Sequence, residues 1–299
     1  MTIDKKPLVS VVIPTYNREL QVKKTIKSVL KQTYSNFEII IVDDASTDNT
    51  EQTVRAIHDD RIRFIKLSVN SHGTLPRNTG IKESKGEYIA LLDSDDEWVP
   101  TKLEKQMEFI QKNKNKSNIM CFTNSILRND KGERIVKNSS LKDNEDIMDY
   151  IFVGGNLVQT STFLFPSEIG KKTLFNPTLK KHQDWDFCLR LRDNGVNFVL
   201  LPEPLTIYNV EKREGRISNN SKYLLSIEWG QKVKNSISRK AYYGFKVISL
   251  TDAFILNKKK FQALSIYLSA YFNNAIKVKK LCKGLLKCSL PHFILKHII

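Results

Sequence analysis

Short apolar runs alternate along this chain with stretches whose apolar residues recur every three or four positions. Val9-Ser10-Val11-Val12-Ile13 is a β-branched run ended by Pro14. From Leu20 to Leu30, Val22, Ile26, Val29 and Leu30 fall at helical spacing. Phe37 to Val42 predicts a second strand, so evenly apolar that both faces of its sheet must be covered. A helix carrying Val54 and Ile57 follows, with Ser46, Thr47 and Asp48 as its expected caps. Ile62 to Leu67 and Tyr88 to Leu92 predict further strands, and Leu75 to Glu83 and Lys102 to Gln111 further helices. Such alternation means a mostly parallel, doubly wound α/β sheet, with ligands beyond the carboxyl ends of its strands.

The middle of the chain is mixed. Ile119 to Phe122, Thr162 to Phe165 and Val196 to Leu201 predict strands, and Asn129-Asp130-Lys131-Gly132 a hairpin turn. His182 to Asp193 predicts a helix with Trp185, Phe187, Leu189 and Leu191 on a broad apolar surface. From Ser218 onward the pattern is helical. Three parts follow: 1–116, 117–216 and 217–299.

Three of the predicted strands end in polar clusters that open onto one rim: Pro14-Thr15-Tyr16-Asn17, Asp43-Asp44-Ala45-Ser46 and Asp93-Ser94-Asp95-Asp96. The last, with Glu97, puts four acids within five residues of a chain whose formal charge is +16. Half-buried carboxylates repel one another and lose hydration, so they need a cation or hydrogen-bond donors. A divalent metal holding a phosphate answers that need, and oxygen ligands suit Mg2+ or Mn2+. Asp96 and Glu97 also precede a helix and favour its positive end. The four cysteines, Cys121, Cys188, Cys282 and Cys288, show no metal-type spacing and fit a reducing compartment. The sequence shows neither a secretory leader nor an apolar run long enough to span a bilayer.

Val-Ser-Val-Val-Ile-Pro-Thr-Tyr-Asn-Arg (9–18), Ile-Ile-Val-Asp-Asp-Ala-Ser-Thr-Asp (40–48), Arg-Asn-Thr-Gly (77–80), Gly-Glu-Tyr-Ile-Ala-Leu-Leu-Asp-Ser-Asp-Asp (86–96) and Gln-Asp-Trp-Asp-Phe (183–187) occur in order. Over about residues 8–211 the chain therefore resembles the inverting family 2 glycosyltransferases of bacterial surface-polysaccharide synthesis. The resemblance implies a GT-A-type doubly wound mixed sheet with a helical C-terminal extension. It makes 1–116 the nucleotide-sugar half, 117–216 the acceptor half and 217–299 a basic amphipathic extension.

It also implies roles. Tyr16 lies against a uracil ring whose edge faces the Pro14 backbone. Asp44 accepts a hydrogen bond from the base, with Asp43 as the alternative reader or a helix cap. Asp93 contacts ribose or a metal-bound water, Ser94 lies along the ribose, and Asp95 binds the metal. Arg77 supports the phosphates or pairs with Asp93. Asp184 is the general base that takes the acceptor hydroxyl's proton, and it also stands where an N-cap is expected. The donor is a nucleotide sugar, UDP-linked, and the acceptor a glycan, polyprenyl-linked.

Two departures stand out. The family's usual Glu-Asp reads Gln183-Asp184 here, and losing that neighbouring charge should lower the Asp184 pKa. Tyr208 to Arg213 holds no histidine where many relatives place one at the metal, so metal ligation from that side is unassigned, with Arg213 or Arg216 as candidates to bind phosphate instead. No Q-x-x-R-W motif occurs near Trp229, which favours transfer of one sugar per encounter.

After Asp252 the chain has no acid, while lysines alternate with Leu281, Leu285, Leu286, Phe293, Ile294 and Leu295. A basic helix with an apolar face suits an anionic membrane surface. The expectation is a cytoplasmic protein held peripherally on the inner face of the cell membrane. Packing on the catalytic part or on a second copy in a homodimer is the alternative. A basic nucleic-acid-binding protein is the less favoured alternative, because it leaves the acids on one rim unexplained and no recognition motif accompanies the charge. Pro-Thr-Tyr-Asn, not a glycine-rich turn, follows the first strand, which argues against a nucleotide-dependent oxidoreductase. A donor-binding protein without catalysis is disfavoured by the intact Asp44, Asp95 and Asp184.

Overall fold

In the computed structural model, which describes residues 6–71, 73–210 and 223–290, the first apolar run lies in the middle of a mixed sheet. In chain order the elements begin with β1 (Val9–Thr15), α1 (Glu19–Leu30), β2 (Phe37–Asp43), α2 (Thr50–Arg55), β3 (Ile62–Lys66), α3 (Thr74–Glu83) and β4 (Tyr88–Leu91). β5 (Glu97–Trp98), α4 (Lys102–Gln111), the hairpin β6 (Ile119–Asn129) and β7 (Gly132–Val136), and α5 (Ile147–Phe152) follow. Then come a 3-10 turn (Thr160–Thr162), β8 (Leu164–Pro166), α6 (Ser167–Thr173), α7 (Gln183–Asp193) and β9 (Asn197–Asn209). The last helices are α8 (Tyr223–Val233), α9 (Arg239–Leu256), α10 (Lys260–Phe272) and α11 (Val278–Ser289).

The sheet order is β3-β2-β1-β4-β8-β6-β9-β5, with β7 on β6. The first four strands are parallel. β8 runs antiparallel between β4 and β6, and β9 is parallel to β6. β1 continues through Pro14 to Thr15, two residues past its expected end. Its pairing with β4 stops at Val12, so Pro14 removes no ladder donor on that side. β6 and β9 run well past the expected strands because buried Thr123, Asn124 and Ser125 continue the pairing without an apolar signal. α2 starts later than its expected caps: Asp48 accepts from the Thr50 N–H at 3.0 Å, while Ser46 turns back to Asp43.

Two compact units result, Met1–Leu141 with Leu157–Lys212, and Lys142–Asn156 with Arg213–Ile299. The segment 142–156 thus belongs by packing to the helical unit, although it lies within the middle part in sequence. In the sheet unit, Val9, Val11 and Ile13 of β1 share a core with Val22, Ile26 and Val29 of α1. Full burial of each such side chain stabilises by roughly 1.5–3 kcal/mol. α3 lies close on the other face of β1: a Cβ on Gly80 would stand 2.3 Å from Cγ1 of Val12.

The helical unit has its own core. Phe152 of α5 meets Trp229 and Phe245 edge-on, with centroids 6.2 and 5.4 Å away. α11 docks narrowly, with Gly284 against the Tyr267 ring and Lys287 paired to Asp252 at 2.8 Å. Val278, Leu285 and Leu286 stay exposed on it. The tail positions Phe293, Ile294 and Leu295 lie outside the described residues. Among the described residues no helix is long and apolar enough to cross a membrane.

Gly80→Ala should destabilise the chain by roughly 1–3 kcal/mol through overpacking against Val12, read as a lower melting temperature with unchanged far-UV circular dichroism. An unaltered melting curve would refute the close helix–strand approach.

Candidate active site

The parallel register that sets Thr15 beside Asp43 brings the first two strand ends together. The Asp44 N–H donates to the Thr15 carbonyl at 2.8 Å. Asn17 adopts φ of 49°, a left-handed turn that asparagine tolerates. Its N–H donates to Ser46 Oγ at 2.8 Å, and its Oδ1 accepts from the Thr47 N–H at 2.9 Å. Ser46 Oγ in turn donates to Asp43. Asp43 is fully buried, and both its carboxylate oxygens accept from Ser46. Asp44 is also buried, and its Oδ1 accepts from the N–H and hydroxyl of Ser71 at 2.9 and 2.7 Å. Beside them Pro14 is half-buried and the Tyr16 side chain is exposed.

The Asp93–Asp96 turn follows β4 and is closed by the Asp96 N–H on the Asp93 carbonyl at 3.0 Å. Its carboxylates go three ways. Asp93 accepts from Arg77 Nη2 at 2.5 Å. Asp95 is half-exposed, with Arg18 Nη2 at 4.0 Å. Asp96 turns inward, where it accepts from Ser161 Oγ at 2.6 Å and from the Asn209 N–H at 3.0 Å. Burial, then the charges of Asp95 and Asp93, push the Asp96 carboxyl well above its ordinary range. Asn209 Nδ2 also donates to the Asp95 carbonyl at 2.6 Å, and Ser94 is buried within the turn. Among the described residues no three metal-ligating side chains cluster. Asp95 keeps a partly exposed carboxylate, an oxygen donor of the kind that suits a Mg2+- or Mn2+-type ion.

α7 opens after His182, which sits in the left-handed region at φ of 61°. His182, not Asp184, is its N-cap residue, although Asp184 Oδ1 accepts from the Trp185 N–H at 2.9 Å. Burial pulls the His182 pKa down to about 3, so the imidazole is neutral where it stacks on Trp185 at 4.7 Å. Gln183 Oε1 accepts from Arg77 Nη1 at 2.8 Å, while its Nε2 donates to the Leu179 carbonyl at 2.9 Å. Arg77 thereby ties the start of α7 to the Asp93 turn. The Asp184 carboxyl is pushed up to about 6, by burial first and with a contribution from the Asp93 charge. The downward shift expected from a neutral Gln183 is outweighed, because desolvation exceeds the effect of one missing neighbour.

Pro14, Tyr16 and Asp44 thus gather at one end of the rim, and Arg77, Asp93, Ser94, Asp95 and Asp184 at the other. Arg18, whose guanidinium also meets the Tyr16 and Asn17 carbonyls at 3.4 and 3.1 Å, spans the two. Arg18, Ser161 and Asn209 escape sequence reasoning as site residues. The run Pro-Thr-Tyr-Asn-Arg held a signal for Arg18, whereas Ser161 carries none. Arg213 and Arg216 lie outside the described residues.

The family description "Glycosyl transferase family 2" matches residues 10–165. The chain is similar to the amylovoran biosynthesis glycosyltransferase AmsB of Erwinia amylovora, at 28% identity over 271 residues, 88% of this chain and 89% of that one. It is 43% identical over 106 residues, 36% of this chain and 42% of the relative, to the UDP-Glc:alpha-D-GlcNAc-diphosphoundecaprenol beta-1,3-glucosyltransferase WfgD of Escherichia coli. Among solved structures, S. aureus TarS in complex with UDP-GlcNAc matches with a TM-score of 0.68 at 22% identity, covering 94% of this chain and 88% of that chain.

A carboxyl that binds its proton more tightly in the folded state gives stability at low pH that is lost as the pH rises through its folded pKa. A rise from 3.8 to about 6 corresponds to about 3 kcal/mol. Asp184→Asn should therefore stabilise the chain at pH 8 by up to that amount and leave it unchanged near pH 4. Urea titrations at the two pH values check this, and equal effects at both would remove the case for a proton-hungry Asp184.

Proposed function

The chain belongs to glycosyltransferase family 2 and has the GT-A fold, and on that premise we propose that it is an inverting, metal-dependent transferase. It moves one sugar from a UDP-linked donor to a hydroxyl of a lipid-carried glycan in bacterial surface-polysaccharide assembly. The amylovoran and diphosphoundecaprenol-dependent relatives motivate the polysaccharide, UDP and lipid-diphosphate parts of this reading. The observation that carries the chemistry is Arg77, which holds both Asp93 and the turn of helix bearing Asp184.

Tyr16 and Asp44 form the base end of the donor site. Tyr16 offers a ring face, and Asp44 an acceptor for the imide N–H of uracil. Asp93 and Ser94 take the ribose. Arg77 and Arg18 add positive charge where the diphosphate lies. Mg2+ or Mn2+ at Asp95, when bound, neutralises the charge that grows on the departing diphosphate. Asp184 accepts the proton of the acceptor hydroxyl as that oxygen attacks the anomeric carbon from the side opposite the diphosphate, which inverts the centre. A base with a pKa near 6 is ionised at neutral pH and is still basic enough to take the proton. The exposed Val278, Leu285 and Leu286 on lysine-rich α11 seat the protein peripherally on the inner face of the membrane.

A panel of nucleotide sugars, assayed for metal-dependent release of nucleoside diphosphate, identifies the donor. With it, kcat/KM should rise with pH through about 6. Asp184→Asn should keep donor binding and lose transfer by at least about 10²-fold, and Asp95→Ala should abolish the metal dependence. Full turnover in either variant would sink its assignment. Leu285→Glu with Leu286→Glu should end cosedimentation with phosphatidylglycerol vesicles; retained cosedimentation would remove α11 as the anchor.

A further inference from the structure

α8, α9 and α10 do not close fully on one another. Between them lies a cavity of about 520 Å³, walled mainly by Ile227, Phe245, Leu250, Phe254 and Ile266. Phe261 also lines it while 86% exposed, which marks the cavity's open side. Of the described residues that line it, Lys246 alone is charged. Its Nζ lies 5.5 and 5.4 Å from the ring centroids of Tyr242 and Tyr243. Lys246 makes no ion pair with any described carboxylate. Burial, then nearby Lys234, hold its pKa below the usual lysine value. A half-buried cation beside an apolar hollow is destabilising until an anion arrives.

Size and charge limit the occupant. At roughly 30 Å³ for each water-sized group, the cavity holds about 17 of them. That suits a single hydrocarbon chain. The surroundings select a negative head: no acid follows Asp252 in the chain, and Lys258, Lys259 and Lys260 open α10. A second copy would bring like charge against like. The exposed stripe of Phe261, Leu268 and Phe272 along α10 continues the apolar surface outward from the cavity.

We propose that this cavity binds a single-chain lipid phosphate, with the chain between α8, α9 and α10 and the phosphate on Lys246. The proposal deepens the reading of a lipid-carried acceptor and rests on that reading only for the identity of the natural lipid. The sugar-transfer residues belong to the other unit, so the two functions fail separately.

Calorimetric titration of the full chain with farnesyl phosphate, farnesol and inorganic phosphate tests it. One farnesyl phosphate should bind per chain, farnesol roughly tenfold more weakly, and phosphate alone not measurably. Lys246→Ala should reduce farnesyl phosphate to the affinity of farnesol. Ser265→Trp, at an exposed position of the cavity wall, should weaken both ligands by about tenfold or more. Neither variant should alter nucleoside diphosphate release from the donor. Absence of farnesyl phosphate binding, or equal affinity in both variants and the parent, overturns the site. Equally strong competition by a short two-chain phosphatidylglycerol overturns the single-chain assignment. Binding that persists in a protein releasing no nucleoside diphosphate leaves the site standing and brings down the transferase reading alone.

Discussion

The guanidinium of Arg77 is the joint on which the site depends. One nitrogen meets Asp93 at the end of β4, and the other meets Gln183 at the start of α7. A planar fork can hold two such partners in fixed relative orientation, which a lysine cannot. The Phe175 ring lies beside it, 5.6 Å from the guanidinium carbon. Gln183 suits this arrangement better than a glutamate would. Its oxygen accepts from Arg77 while its nitrogen donates to the Leu179 carbonyl, and a carboxylate offers no such donor.

Around that joint, three successive acids share one turn without sharing one fate. Asp93 is neutralised by Arg77, Asp95 stays at the surface, and Asp96 is taken inside by Ser161 and Asn209. Burial, with the charges of Asp95 and Asp93 beside it, raises the Asp96 carboxyl pKa. Asn209 reaches both the Asp96 carboxyl and the Asp95 carbonyl, and so sets the backbone from which Asp95 projects. A residue far away in sequence thus completes the geometry of the turn.

The parallel half of the sheet was legible because β1, β2 and β4 are apolar on both faces and end in polar clusters. The rim residues were legible for the same reason, since parallel strands deliver their carboxyl ends to one side. What stayed hidden lies where polarity and burial part company. Thr123, Asn124 and Ser125 are buried yet read as loop. The same ambiguity concealed the far half of β9, and with it Asn209. Ser161 was invisible because its role arises from a 3-10 turn whose hydroxyl meets residues 65 and 68 positions away. The net rise at Asp184 was not legible because sequence counts neighbouring charges and cannot measure lost hydration.

The excursion of residues 142–156 into the helical unit has a consequence for biosynthesis. The buried side chains of α5, Tyr150, Ile151 and Phe152, leave the ribosome long before Trp229 and Phe245, which cover Phe152. The nascent chain can pair its strands early but must carry this greasy loop uncovered until α8 and α9 emerge. Any fragment cut after β9 inherits that exposure permanently, so the catalytic sheet is not a detachable module.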